Sequence, residues 1–226
     1  MKQLDCIFTG IKDYLLTLDK NSWKWHQILQ GINILQDETL HIFVVGTENY
    51  GQAETLKLLA PSQKPPRTAS YNYEPFKPQI YYKDAHLCLW KLSGLGRLDC
   101  EHEYLVKSII PIIRDSISSN LFIILVIFNT KRFGLSYEED FIKQLRAESI
   151  CNCSDIDSHM VFALNMPNKT EQDICNSFIS ETEKSLYSNL LLDSKITPYC
   201  PDNEQSCMDL KAKLLIRSAA LYHRYA

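Results

Sequence analysis

Leu4, Ile7, Phe8, Ile11, Leu15 and Leu18 recur at steps of three and four residues, which places them on one stripe of a helix while Lys2, Asp5, Lys12 and Asp19 face outward. A second helix follows: Asn21 or Ser22 supplies the cap, and Trp25, Ile28, Leu29, Ile32 and Leu35 share a face until Asp37 and Glu38 break the pattern. The two helices define an N-terminal helical extension over residues 1–38, ahead of a larger domain over residues 39–226.

From Leu40 the texture changes. Ile42-Phe43-Val44-Val45 is a continuous apolar run ending at Gly46, as in a strand covered on both faces. Ala53 to Ala60 has helical composition, and the prolines at 61, 65 and 66 stop it. Ser70 to Tyr73 and Gln79 to Tyr82 read as short strand segments, and Ala85 to Leu92 as a better one, so these segments predict a hairpin. Leu105, Ile109, Ile110 and Ile113 form a helical stripe in which Pro111 predicts a kink or an early end. Leu121 to Phe128 is the most apolar strand. A helix through Phe141, Ile142, Leu145 and Ile150, and a strand over Met160 to Leu164, come next. A helix with Ile174, Phe178, Ile179 and Leu186, a short last strand at Leu190 to Leu192 and a closing helix over Met208 to Tyr225 complete the series. Alternation of this kind specifies an α/β fold, with a mostly parallel sheet flanked by helices.

Composition narrows the class. The 226 residues are 45% hydrophobic and carry a net charge of −3, so nothing in bulk electrostatics calls for nucleic acid or anionic lipid, and a protein partner is the expectation. The longest apolar run falls short of the ~20 residues of a membrane helix. The 8 cysteines follow no charged-then-apolar leader and are read as reduced thiols in the cytoplasm.

One motif stands between a predicted strand and a predicted helix. Gly46-Thr47-Glu48-Asn49-Tyr50-Gly51-Gln52-Ala53 has the glycine spacing of the phosphate-binding loop G-x-x-x-x-G-K-[ST]. In a working loop the lysine neutralises the outer phosphates and the following hydroxyl ligates magnesium; Gln52 and Ala53 carry neither group. Later stations of a Ras-like GTPase follow in order, each altered. Lys91-Leu92-Ser93-Gly94 stands where D-x-x-G belongs, with lysine for aspartate, and Asn165-Met166-Pro167-Asn168 stands where N-K-x-D belongs, with the base-pairing carboxylate gone. Asp193-Ser194-Lys195 is a faint echo of the loop after the sixth strand. The expectation is a Ras-like P-loop GTPase fold without catalysis: no catalytic residue, no cofactor, and a vestigial phosphate loop at Gly46, Gly51, Gln52 and Ala53 with a vestigial base loop at Asn165 and Asn168.

These residues lead to a family. The tryptophan-bearing stretch Asn21 to Leu29, the Pro65-Pro66-Arg67-Thr68 segment with Tyr71 and Tyr73, and the strand Lys83 to Gly94, where Trp90, Leu92 and Gly94 replace the usual aspartate motif, together resemble the dynein light intermediate chains. Lys83-Asp84 before that strand and the Pro-Pro-x-Thr start resemble the branch of the second cytoplasmic dynein, the motor of retrograde transport in cilia. The resemblance covers about residues 21 to 130 and implies a Ras-like domain of six strands seated on the tail of the dynein heavy chain, in the cytoplasm, cytoskeleton or cilium. Among the chain's departures from the family is the phosphate loop, which members commonly keep intact and this chain does not.

The partner surface is expected on Trp23, Trp25, Ile28 and Leu29. Two tryptophans two positions apart cannot share a helix face, so one packs at home and the other is available, unless both cover their own core. Cys151-Asn152-Cys153 through His159 lacks the two-segment ligand spacing of zinc and reads as a solvated loop, so no metal site is expected. Outside the dynein reading stand a slow GTPase with unusual ligands and a pseudo-GTPase scaffold of another assembly, such as a kinetochore or a vesicle coat.

Overall fold

In the computed structural model, which describes residues 10–47, 51–60, 78–92, 94–95, 102–116, 121–129, 136–148, 156–166, 180 and 196–225, helices and strands alternate along the chain. They are α1 (Ile11–Thr17), α2 (Trp23–Ile34), β1 (Leu40–Gly46), α3 (Gln52–Leu59), β2 (Gln79–Lys83), β3 (Leu87–Lys91), α4 (His102–Ser116), β4 (Phe122–Asn129), α5 (Ser136–Ala147), a 3-10 turn (Ile156–His159), β5 (Met160–Asn165), β6 (Thr197–Tyr199) and α6 (Glu204–Tyr225). The strands form one six-stranded sheet in the order β2-β3-β1-β4-β5-β6. Among the described residues only the β2–β3 pair is antiparallel, and it is the hairpin expected from the sequence. Asp84 shapes its turn: Oδ1 accepts from the His86 and Leu87 amides at 2.8 and 2.7 Å, and Oδ2 from the Tyr82 hydroxyl at 2.6 Å.

Successive side chains of the central strands point to opposite faces and meet separate apolar layers. Ile123, Leu125 and Ile127 face the side of α3 and α6, in one apolar cluster that reaches outward to α1 and α2, whereas Phe122, Ile124, Val126 and Phe128 face α4 and α5. The α4 helix runs on through Pro111, which is exposed, and Ile109, Ile110 and Ile113 are buried on either side of it, so the early end does not occur. The proline removes one amide donor on the solvent side of the helix, the side on which the loss is least costly.

The last strand lies elsewhere than expected. Thr197–Tyr199 pairs with β5, whereas Leu190 to Leu192 lies outside the described residues, as do the strand segment at Ser70 to Tyr73, the helix from Ile174 to Leu186 and the start of the first helix before Gly10. Pro198 hid β6 from a pattern search, yet at a sheet edge the missing amide is not needed. With β6 placed there, Asp193-Ser194-Lys195 precedes the last strand rather than following it, so the loop in that role begins at Cys200.

The N-terminal helices add a further layer outside α6. Ser22 caps α2 by accepting from the Trp25 amide at 3.2 Å, and Ile28, Ile32 and Leu35 are buried in the same cluster as Leu214 and Leu215. Gly31 sets the approach of α2 to α6: a methyl group there would sit 2.9 Å from the Leu215 carbonyl carbon and closer still to its oxygen. One polar cluster joins three helices. Tyr14 donates to Asp209 at 2.5 Å, and Lys24 donates to the Tyr14 oxygen at 2.6 Å and to Asp209 at 3.0 Å. Burial works to lower the Lys24 ammonium, and the hydrogen bonds to Tyr14 and Asp209 outweigh it, raising the group above its ordinary value.

Two stability predictions follow from this packing. Gly31→Ala, which in an open helix would stabilise by about 1 kcal/mol, is expected to destabilise by about 1–3 kcal/mol and lower the melting temperature accordingly. An unchanged or raised melting temperature would show that α2 and α6 part without cost. The second concerns His41, whose Nδ1 accepts from the Trp90 indole N–H at 3.2 Å while the rings stack. Burial, with the Lys83 charge adding to it, lowers the imidazole from 6.5 to about 4. Because the folded chain resists a proton that the unfolded chain accepts, this contribution is full above pH 6.5, falls as pH drops from 6.5 toward 4, and is exhausted below. Urea midpoints measured across that range are expected to slope less in His41→Phe than in the parent; equal slopes would remove His41 as the source.

Candidate functional site

β1 delivers its backbone to Gly46, and α3 begins six residues later behind Gly51, whose φ of +104° lies in the left-handed region that a glycine adopts without strain. Both glycines are also required sterically. A Cβ on Gly46 would sit 3.0 Å from the Ile127 carbonyl oxygen, and one on Gly51 would lie 2.9 Å from the Asn165 Cβ and nearer to its amide nitrogen. Asn165, at the end of β5, is thereby brought against the phosphate-loop position, so the two vestigial stations expected from sequence are neighbours in space. Asn168 lies outside the described residues, as do residues 48–50.

Gln52 occupies the lysine position and turns inward. It is buried, and its side-chain amide donates to the Val44 and Leu92 carbonyls, both at 2.8 Å. A glutamine amide has two N–H groups, and both are consumed by backbone within the sheet. Ala53, at the hydroxyl position, is exposed and offers no ligand atom. Lys91 closes β3, and the residues after it run beside the loop: the Leu92 amide donates to Val44 at 3.2 Å and the Leu95 amide to Gly46 at 2.9 Å. The end of β1 and the exit of β3 are thus laced together by backbone and by Gln52.

Three residues that sequence reasoning did not single out complete the site. Thr55, one turn into α3, donates to the Gly51 carbonyl at 2.7 Å and shares a hydrogen bond with the Tyr199 hydroxyl beneath it. Burial drives that hydroxyl far above its ordinary range, and the Thr55 bond relieves only part of the effect. On the opposite face of the sheet, Thr47 donates to Glu138 of α5 at 2.5 Å, with both side chains buried, so an acidic group is seated beside a loop position. Thr55 was discoverable as a hydroxyl one turn after a capping glycine; Tyr199 and Glu138 have no local signal, since each arrives from a distant element. Among the described residues, no group of three or more histidine, cysteine or acidic side chains is arranged to hold a metal ion, and no helix is long and apolar enough to cross a membrane.

The four residues expected on a partner surface divide. Trp23 is 67% exposed, Trp25 packs partly against the core, and Leu29 is half-buried. Ile28 is a correction: it is fully buried beneath α2, so it holds the helix to its own domain and is not available to a partner.

No protein-family model and no curated protein sequence matches the chain. Solved structures do. Toc33 from Arabidopsis thaliana, as a dimerization-deficient mutant, superposes with a TM-score of 0.59 at 8% identity, covering 94% of this chain and 96% of that chain. The same protein in complex with Mg2+ and GMPPNP gives 0.55 at 9% identity, again over 94% and 96%. At such identities the likeness establishes architecture alone, and that architecture is the P-loop GTPase fold.

The glutamine tie makes a prediction about stability. Gln52→Ala leaves the Leu92 carbonyl without this donor in a buried setting and is expected to cost about 1–3 kcal/mol in denaturant unfolding. Gln52→Glu, which keeps the shape but has no donor and adds an acidic group, is expected to cost more. If both variants unfold at the parent's midpoint, the tie contributes nothing to the fold.

Proposed function

We propose that this GTPase-fold chain works without nucleotide turnover, as a non-catalytic light intermediate chain of a cytoplasmic or ciliary dynein that binds the heavy-chain tail and supports microtubule-based transport, including retrograde intraflagellar transport. The observation that carries the non-catalytic half is the Gln52 amide, whose two donors are spent on Val44 and Leu92 at the position where phosphate neutralisation is required. Ala53 and Lys91 in place of a hydroxyl and a carboxylate remove the magnesium side of the chemistry. The dynein half rests on the residues of the resemblance, among them Trp90, stacked on Phe43, and Lys83-Asp84 at the hairpin turn. Trp23, exposed on α2, is the side chain of that segment suited to anchor a partner.

A second reading, an atypical GTPase, draws on the retained glycine geometry and on Asn165 seated against Gly51. Calorimetric titration with GTP and GDP, with and without magnesium, separates the two. No binding in the micromolar range is expected, and no magnesium-dependent turnover. Micromolar or tighter binding would reverse the assignment. For the partner, Trp23→Ala is expected to lower co-precipitation of the dynein heavy-chain tail by tenfold or more while the melting temperature stays at the parent's value; retention of full binding would move the interface off α2.

A further inference from the structure

Strand β2 holds an extra residue. It pairs Ile80 with Trp90 and Tyr82 with Leu89, so Tyr81 has no opposite number on β3 and forms a bulge. Tyr81 and Tyr82 are both buried on the α3 and α6 side of the sheet, which leaves Ile80 and Lys83 together on the other face. Strict alternation would have turned one of the two away. Pairing then sets two rows across three strands: Ile80, Trp90 and Phe43 form one, and Lys83, Cys88 and His41 the other, about 7 Å further along β3.

The apolar row is open at the sheet edge. The cluster that α4 and α5 build on this face includes no residue of β2. Phe43 is buried and stacked with Trp90, Trp90 is half-buried, and Ile80 is 47% exposed. The other row presents donors. His41 Nδ1 accepts from the Trp90 indole N–H, so the neutral imidazole carries its hydrogen on Nε2. Lys83 is exposed, and its charge is felt at both Cys88 and His41. Among the described residues, no other partner engages the His41 Nε2 or the Lys83 ammonium. The neighbouring carboxylate, Asp84, spends both oxygens on the hairpin turn.

We propose that this face of β2 and β3 docks an acidic segment of a partner protein, an extended stretch that lays an apolar side chain on Trp90 beside Ile80 and, two residues on, sets a carboxylate between Lys83 and the His41 Nε2–H. The chemistry of the occupant follows from the rows. Two donors, one of them cationic, complement an aspartate or glutamate, whereas a basic segment would meet the Lys83 charge. The distance between rows is that of two residues in an extended chain. Trp90 is held by its stack and its indole hydrogen bond, so the apolar shelf is formed before anything binds. The patch lies across the sheet from α2, so it is a surface additional to the one around Trp23.

The probe is a phage-displayed library of random octapeptides, selected on the full-length chain. Enriched peptides are expected to carry an aspartate or glutamate two positions from an apolar residue. The strongest of them, labelled with fluorescein, is then titrated by anisotropy against the parent, Ile80→Asp and Lys83→Gln. Ile80→Asp is expected to weaken binding by tenfold or more. Replacing the peptide's acidic residue by its amide is expected to cost at least about threefold on the parent and nothing on Lys83→Gln, which identifies Lys83 as the group that reads the carboxylate. Both altered side chains are exposed, so melting temperatures are expected at the parent's value; should Ile80→Asp melt lower, Lys83→Gln with the two peptides decides alone. Selection that yields no such pattern, peptides that bind both variants as well as the parent, or an equal loss from the amide peptide on the parent and on Lys83→Gln would overturn the proposal. None of these outcomes bears on Gln52 or on Trp23.

Discussion

Burial of β1 and β4 on both faces is the constraint from which the rest of the architecture descends. With Leu121 to Phe128 essentially inaccessible, water must be excluded above and below the sheet, and each face needs its own helices. The α4–α5 side meets this demand with two amphipathic helices. The other side recruits α3 and α6, but α6 is buried around most of its circumference: Leu210, Leu214, Leu215 and Ala219 are buried, and so are Lys211 and Ser218. A helix of that character needs cover on its far side as well, and α2 supplies it. The N-terminal helices therefore answer a requirement set by the central strands, passed outward through α6.

Much of this order is legible in the chain because it is local. Ser22 as a cap, the β1 run ending at Gly46 and the stripe of α4 each declare themselves within a few residues. What was hidden depends on contacts between distant segments. Pro198 disguises a three-residue strand whose identity comes only from pairing with Ala163, Leu164 and Asn165. The split between Trp23 and Trp25 followed from helix geometry, whereas the burial of Ile28 required knowledge that α6 lies across it. The altered phosphate loop shows both sides. Loss of the lysine could be read directly, but the destination of Gln52 could not, since its acceptors come from β1 and from the residue after β3.

The cluster of Tyr14, Lys24 and Asp209 and the pair of Thr55 and Tyr199 use polar groups in unlike settings. The first sits where water still reaches it, so its value lies in orientation more than in free energy, as for other exposed ion pairs. The second is enclosed, and an unmet hydroxyl there would carry its full desolvation penalty. Enclosure therefore makes the floor beneath α3 a place where nearly any substitution is felt.

The double bond of Gln52 to Val44 and Leu92 carries a consequence for motion. In a nucleotide switch, the segments near the phosphate loop change position according to whether a terminal phosphate is present to hold them. Here the end of β1 and the exit of β3 are held at one spacing by an amide that belongs to the chain itself, and no outside molecule decides whether it is there. The tie does not decay with hydrolysis and is not renewed by exchange. A surface built on these segments is consequently held in place by the chain's own hydrogen bonds.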